Sequence, residues 1–232
     1  MGTITFYHWY CLLMHDPLAR EPLNCTVVIP CRDEALALPG VFSTIPDGMN
    51  VIVVDNGSAD GTADVARSLG AEVVYEDVAG YGAAVHAGIL AATAPLVAVL
   101  DGDGSMDPAD LPELVSVVSR GAATMAIGRR RPEGNGVWPW HARAGTAVLA
   151  WWIRRSSGFG VHDLAPMRVC RRDDLLALDI TDRRFGYPLE LMIKASRAGW
   201  TVHERDIVYR RRMRGTKSKV SGTLLGTWRT FA

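Results

Sequence analysis

The chain has 232 residues, 48% of them hydrophobic and 22% charged, which suits one large globular α/β domain or two small ones and excludes a fibrous or low-complexity protein. Its 25 basic and 25 acidic side chains cancel, so bulk charge gives no reason to expect nucleic acid as a partner. No apolar run approaches the roughly 18 residues that span a bilayer, and Cys11, Cys25, Cys31 and Cys170 have no metal-ligand spacing, reading as free thiols of a reducing, cytoplasmic compartment.

Residues 1–22 read as an N-terminal extension. Ile4 to Met14 is aromatic and apolar but lacks a basic leader and a small-residue cleavage site, and Met14 is an alternative start to Met1. Cys25 to Pro30 is the first buried strand, followed by the polar loop Cys31-Arg32-Asp33-Glu34 and a helix to about Thr44 with Pro39 near its start. Asn50 to Asp55 is the second strand, leading into the turn-rich Asn56 to Thr62. A helix over Thr62 to Leu69 stops at Gly70, Glu72 to Tyr75 is a third strand, and Ala83 to Ala92 is a helix with Val85, Ile89 and Ala92 on one face. Leu96 to Leu100 is an uninterrupted apolar run, the pattern of a strand buried on both faces. Leu111, Leu114, Val115 and Val118 then mark a helix ending at Gly121.

The second half is less regular. Ala122 to Gly128 is a strand that delivers Arg129, Arg130 and Arg131, and the loop from Arg131 to Trp140 is long enough to act as a flap. His141 to Ser156 is a helix carrying Arg143, and Asp163 to Cys170 returns to the sheet. Phe185-Gly186-Tyr187-Pro188 introduces a helix holding Glu190, with Leu191, Ala195 and Ala198 facing inward. Thr201 to Tyr209 is the last strand before a basic stretch from Arg210 to Lys219.

Strands alternating with helices predict a parallel sheet whose loops gather on one edge. Arg32, Asp33, Asp55, Asn56, Gly82, Asp101 and Asp103 then share one crevice, with carboxylates and amides for a base and hydroxyls and glycine for close approach. Asp101 and Asp103 leave the fourth strand on a glycine-rich turn. Two adjacent carboxylates repel, and a hard divalent cation such as Mg²⁺ or Mn²⁺ resolves the repulsion. The same two residues also serve as turn formers or helix caps, and the pair alone does not choose between these readings.

The segments IPCRDEA, VIVVDNGSADGT, GYGAAVHAG, VLDGDGSMDP, FGYPLE and RGTKSKVSGT occur in the order and spacing of the family 2 glycosyltransferases. More narrowly the chain resembles their polyprenyl-phosphate branch, typified by dolichyl-phosphate mannose synthase, over about Cys25 to Trp228. The resemblance implies a single-domain α/β fold of the GT-A (Rossmann-like) type, with a mixed, mostly parallel sheet flanked by helices. Residues 23–128 would be its nucleotide-binding half and 129–232 its acceptor-binding half. It also implies a nucleotide-diphosphate sugar (UDP or GDP), a divalent metal, an inverting hexosyl transfer and a polyprenyl phosphate acceptor.

Carried over by position, Pro30, Arg32, Asp33 and Glu34 fall in the first nucleotide-binding loop, and Asp55 at the nucleoside contact with Asn56 beside it. Gly82 falls in the third loop, and Asp101, Gly102 and Asp103 in the metal-and-diphosphate motif. Arg212 falls near the donor diphosphate. Arg129 and Arg143 match the acceptor-phosphate positions, with Lys217 and Lys219 on the same basic side. Asn56 replaces a usual Asp, and Ser105 a frequent Gln near the metal.

Gly80-Tyr81-Gly82 imitates a dinucleotide fingerprint, but Val85 stands at its third glycine and it follows the third strand. Gly215-Thr216-Lys217-Ser218 lacks the upstream glycine of a P-loop. A non-catalytic nucleotide-sugar-binding module is the remote alternative, against which the acidic pair argues. A phosphate acceptor is already anionic and needs no general base, whereas a saccharide or small-molecule hydroxyl needs one, for which Asp163 and Glu190 are the catalytic candidates beside Asp103. Trp138, Trp140, Trp151 and Trp152 read equally as acceptor groove or as packing. Leu224, Leu225, Trp228 and Phe231 recur at helical spacing after the basic stretch, the pattern of an interfacial helix on the inner face of a membrane or, equally readable from the spacing, of a stripe packed against the domain's own core.

Overall fold

A computed structural model describes residues 23–164 and 166–213. The apolar runs become strands β1 (Cys25–Cys31), β2 (Asn50–Asp55), β3 (Glu72–Tyr75), β4 (Leu96–Val99), β5 (Met125–Pro132), β6 (Arg168–Arg171) and β7 (Val202–Tyr209). They form one seven-stranded sheet in the order β3-β2-β1-β4-β6-β5-β7. β1 pairs in parallel with β2 and β4, β2 with β3, and β5 with β7. β6 runs antiparallel between β4 and β5. The sheet is therefore mixed and mostly parallel, as the resemblance implies.

Seven helices flank it among the described residues: α1 (Leu38–Phe42), α2 (Thr62–Ser68), α3 (Tyr81–Ala91), α4 (Leu111–Ser119), α5 (Trp140–Ser157), α6 (Arg172–Ala177) and α7 (Tyr187–Arg197). Prolines sit in the first turns of α1, α4 and α7, where a missing N–H costs nothing. The period-2 pattern divides the apolar side chains between two cores. Val27, Ile29, Ala98 and Leu100 pack with Leu38, Leu111, Leu114 and Val118 on one face. Val28, Val54, Val97 and Val99 pack with Val85, Ile89, Leu191 and Met192 on the other. Burial on both faces is why these strands read as continuous hydrophobic runs rather than alternating ones.

Several details depart from the sequence reading: β5 starts only at Met125 and runs through Arg129–Arg131 to Pro132, and β6 starts only at Arg168. α1 closes at Phe42, short of Thr44, and α6 was not anticipated. Ala198, expected inward, is exposed because α7 ends at Arg197 and Ala198 is already its C-cap. Cys25, Cys31 and Cys170 form no disulfide among the described residues, as expected, and are buried, while Cys11 lies outside the described residues.

Gly88 sets how closely α3 lies on the sheet. A β-carbon there would run into Val28 Cγ1 and come within 2.9 Å of Val54 Cγ2, both fully buried side chains. Gly145 on α5 has nothing within 4 Å of such a carbon. In chemical denaturation Gly88→Ala should lose about 1–3 kcal/mol through overpacking, whereas Gly145→Ala should gain about 0.5–1 kcal/mol from helix propensity.

Candidate active site

Because β1 to β4 are parallel, the loops that follow them leave from one edge of the sheet, and polar side chains lace those loops together. Asp33, at a positive φ of 56° that Asp tolerates, donates its N–H to Ser58 Oγ (3.0 Å) and accepts from Ala59 N–H at Oδ1 (2.8 Å). Ser58 N–H donates to Asp55 Oδ1 (2.8 Å), Glu34 N–H to Thr62 Oγ1 (2.9 Å) and Ala35 N–H to Asp60 Oδ2 (3.0 Å). Pro30 is half-buried at the end of β1, Glu34 and Asp55 are buried, and Arg32 and Asp33 face solvent.

Asn56 binds the loops after β2 and β3 into one piece. Its Nδ2 donates to the carbonyls of Glu76 (2.7 Å) and Val78 (2.9 Å), and its Oδ1 accepts from Gly80 N–H (2.8 Å). Both amide hydrogens are thus committed within the chain. Gly82 also differs from the expectation that glycine there lets a ligand approach. It is buried, and a β-carbon on it would lie 2.5 Å from Asp182 O and 2.9 Å from Tyr187 Cβ. What approaches Gly82 is the chain's own loop before α7, whose Arg184 and Arg183 carbonyls accept from Gly82 N–H (3.1 Å) and Ala83 N–H (2.8 Å).

The acidic motif follows β4. Asp101 is half-buried, Gly102 and Asp103 are buried, and Leu100 N–H prolongs the ladder by donating to Val28 O (3.1 Å). Gly102 has no room for a side chain, since a β-carbon would sit 2.7 Å from Cys31 Sγ and 3.1 Å from Ile29 Cγ2. Asp103, 3% exposed, accepts from Ser105 N–H (2.9 Å) at Oδ1 and pairs through Oδ2 with Arg212 Nε (2.9 Å). Residues 210–213 strap the motif: Met213 N–H donates to Asp103 O (3.1 Å), Arg210 N–H to Ser105 O (2.8 Å), and Arg210 Nη1 pairs with Asp107 Oδ2 (3.0 Å).

Burial, and then the neighbouring Asp103, push the Asp101 carboxyl up to about 6, against the pull of the Arg212, Arg130 and Arg168 guanidiniums. Among the described residues no three His, Cys, Asp or Glu side chains gather as a metal cluster. Asp101 and Asp103 nonetheless fit a hard divalent cation of the kind that takes one or two carboxylates and completes its shell with substrate phosphate and water. Ser105, fully buried beside them, has an Oγ with no hydrogen-bond partner among the described residues.

Of the two base candidates, Asp163 is 2% exposed and holds Arg130 in a fork. Oδ2 accepts from Arg130 N–H and Nε–H (both 2.9 Å) and Oδ1 from Nη2–H (2.6 Å). That guanidinium also lies 4.1 Å over the Trp138 ring and 5.5 Å from that of Tyr209. Glu190 braces the loop before α7. Its Oε1 accepts from Thr181 N–H and Oγ1–H (both 3.0 Å) and pairs with Lys194 Nζ (2.9 Å), and its Oε2 accepts from Asp182 N–H (2.6 Å). Both carboxylates are engaged in architecture.

Arg129 and Arg143 come together. They line a cavity of about 520 Å³ with Arg131, Thr146 and His162, between the end of β5 and α5. Arg129 Nε (2.5 Å) and Arg131 Nε (2.7 Å) share Asp206. Lys217, Lys219 and the 224–231 helix lie outside the described residues. Sequence reasoning gave Arg130 no role beyond its place after the fifth strand, and passed over Arg168. The signal for Arg168 was a charged residue inside the otherwise apolar run Met167 to Cys170, 1% exposed in the structure.

Residues 26–168 match the protein family described as glycosyl transferase family 2. An uncharacterized glycosyltransferase of Mycobacterium tuberculosis is 55% identical over 87% of this chain and 92% of its own. The dolichyl-phosphate hexose transferase of Haloferax volcanii is 32% identical over 84% and 86%, and the polyprenol monophosphomannose synthase of Mycolicibacterium smegmatis 31% over 90% and 85%. Among solved structures, glucosyl-3-phosphoglycerate synthase from Mycobacterium tuberculosis in complex with Mn²⁺, uridine-diphosphate and glucosyl-3-phosphoglycerate superposes with a TM-score of 0.64. It covers 84% of this chain and 72% of that one at 22% identity, a likeness of fold.

Burial alone would raise the Glu190 carboxyl, but hydrogen bonds from Thr181 N–H, Lys194, Asp182 N–H and Thr181 Oγ1–H hold it at about 2, below its ordinary 4.5. A depressed carboxylate stabilises the fold fully above the unfolded value and loses that contribution as pH falls through the folded one. Glu190→Gln should therefore cost about 1–2 kcal/mol at pH 7, after allowance for solvent screening. In denaturant melts the deficit should shrink between about pH 4.5 and 2.

Proposed function

Because the chain belongs to glycosyl transferase family 2, we propose that it is an inverting hexosyltransferase. It moves a sugar from a uridine or guanosine diphosphate donor to a polyprenyl phosphate. Relatives that resemble it over most of its length carry dolichyl-phosphate and polyprenol names, which supports a lipid phosphate acceptor. The observation that carries the reading is local. Asp163 and Glu190 are both committed to internal hydrogen bonds, while the arginine-lined cavity opens beside Asp163. An acceptor that arrives already anionic suits such a site, because it needs cations and no free base.

On this reading Asp55 and the first loop, Pro30, Arg32, Asp33 and Glu34, receive the nucleoside, and Asn56 positions that loop set from behind. The diphosphate lies at Asp101, Gly102 and Asp103, with Arg212 beside it. Asp101 and Asp103 would hold Mg²⁺ or Mn²⁺, which when bound supplies positive charge for a departing diphosphate. Arg129 and Arg143 hold the acceptor phosphate so that one of its oxygens faces the anomeric carbon. That oxygen forms the new bond to carbon as the carbon–oxygen bond to the diphosphate breaks on the opposite side. The nucleoside diphosphate leaves with the bonding pair, and no proton has to move. Arg212 steadies the charge that builds on it, a kind of preorganised contact worth about 3–4 kcal/mol.

A membrane-surface location follows from such an acceptor, and α5 supports it. Among the described residues no helix is long and apolar enough to cross a membrane. α5, which lends Arg143 and Thr146 to the cavity, exposes Trp140 (81%), Val148 (62%), Trp151 (57%) and Trp152 (49%). Arg143 and Arg155 lie exposed on the same helix. An apolar face with cations beside a phosphate-sized cavity is suited to a headgroup plane.

Two experiments check the reading. With short-chain polyprenyl phosphate, Arg143→Ala should raise the acceptor KM by roughly tenfold or more, the loss of about one charge-assisted contact. The donor KM should change little, and activity with neutral hydroxyl acceptors alone would contradict the reading. In flotation with anionic liposomes the protein should rise at low salt and less at high salt. Trp151→Ser/Trp152→Ser should stay behind, and a protein that never floats would contradict the membrane placement.

A further inference from the structure

The cavity between the end of β5 and α5 contains an imidazole as well as its arginines. His162, whose side chain is half-exposed, lines it together with Arg129, Arg131, Arg143 and Thr146. Its Nδ1 lies 2.7 Å from Glu204 Oε2. The same carboxylate, 8% exposed, accepts His162 N–H (2.7 Å) and Asp163 N–H (3.1 Å) at Oε1. One side chain of β7 therefore fixes both the backbone and the ring of His162.

The period of β7 explains how. Glu204 and Asp206 stand two residues apart, opposite Ile127 and Arg129 of β5, so both point to one face of the sheet. Arg205 and Ile207 point to the other, where Arg205 pairs with Glu113 of α4 and Ile207 joins the core. On the cavity side Asp206 holds Arg129 (2.5 Å) and Arg131 (2.7 Å) as Glu204 holds His162. Against a carboxylate Nδ1 carries a proton, and Nε2 is then the ring atom left for a ligand. Nε2 has no hydrogen-bond partner among the described residues. A phosphate oxygen at Nε2 would set a protonated ring between two anions, the arrangement in which it donates from both nitrogens. Arg129 and Arg131 each commit Nε to Asp206, and what remains of a guanidinium presents several N–H groups at once. The imidazole presents one, in a direction that Glu204 sets.

We propose that His162 is a further binding residue for the acceptor phosphate, donating Nε2–H to one of its oxygens, and that Glu204 is the positioning residue that aims the ring. The arginines supply charge, while His162 holds one oxygen aside and leaves another turned toward the anomeric carbon. This rests on the lipid phosphate acceptor put forward under Proposed function, and it adds to that site the pair that orients the phosphate.

Steady-state kinetics with short-chain polyprenyl phosphate test it, because Asn and Gln reproduce the two ring nitrogens separately. His162→Asn keeps an amide where Nδ1 meets Glu204 but has no atom at Nε2. Its acceptor KM should rise roughly tenfold, the loss of about one charge-assisted contact, with the donor KM little changed. His162→Gln, whose amide reaches the Nε2 position, should recover most of that loss. Glu204→Gln should fall between the wild type and His162→Asn. Melting curves establish that each variant is folded, and should His162→Asn not fold, His162→Ala decides by the same KM. An unchanged acceptor KM in the folded variant would overturn the role of His162 while leaving the arginine-lined site standing. An equal rise in His162→Asn and His162→Gln would reduce the pair to a tie between β7 and the 162–163 backbone, and so overturn it too. Turnover of a neutral hydroxyl acceptor that both variants abolish would make His162 a general base instead. No turnover of polyprenyl phosphate by the wild type would overturn the acceptor reading itself, and this inference with it.

Discussion

Two carboxylates stand one residue apart at the end of a strand buried on both faces, and the rest of the site answers that constraint. Like charges so placed repel, and the low-dielectric surroundings make the repulsion expensive. Arg212 meets Asp103 directly, and residues 210–213 hydrogen-bond along the same loop, so the end of β7 is tied to the end of β4 across the sheet. Gly102 lets the motif press onto Cys31 and Ile29, which keeps both carboxylates at the sheet edge rather than out in solvent. The need for positive charge at this point is met after β7, where Arg212 pairs with Asp103 and Arg210 with Asp107.

Around that centre most polar side chains of the loops serve the loops themselves. Asn56 spans three backbone groups, Asp33, Asp55 and Asp60 each cap a neighbouring turn, and Asp163 and Glu190 each close a fork or a cap. Such a lattice holds a ligand pocket in shape before the ligand comes, which lowers the ordering cost of binding. It also leaves few free bases, which favours an acceptor that brings its own charge.

The sequence made the sheet legible because its strands are continuous apolar runs ending in turn residues, and the acidic edge legible because Asp101 and Asp103 interrupt the most buried of them. Arg129 and Arg143 could be paired from the resemblance, although the distance along the chain hides that one cavity receives both. Hydrogen-bond partners were not legible. An aspartate such as Asp163 looks the same in sequence whether it faces a substrate or an arginine, and Gly82 whether a ligand or another loop approaches it. Arg168 was hidden for a related reason: only the antiparallel register of β6 places it beside β4, and nothing local in the chain announces that pairing.

The most direct measurement is anomalous diffraction from crystals of the protein grown with Mn²⁺ and a nucleoside diphosphate. The account predicts one manganese peak ligated by Asp101 or Asp103 and by diphosphate oxygens, with the nucleoside over the loop of Pro30 to Glu34. A diphosphate bound away from the end of β4, or a manganese peak with neither aspartate in its shell, would contradict it.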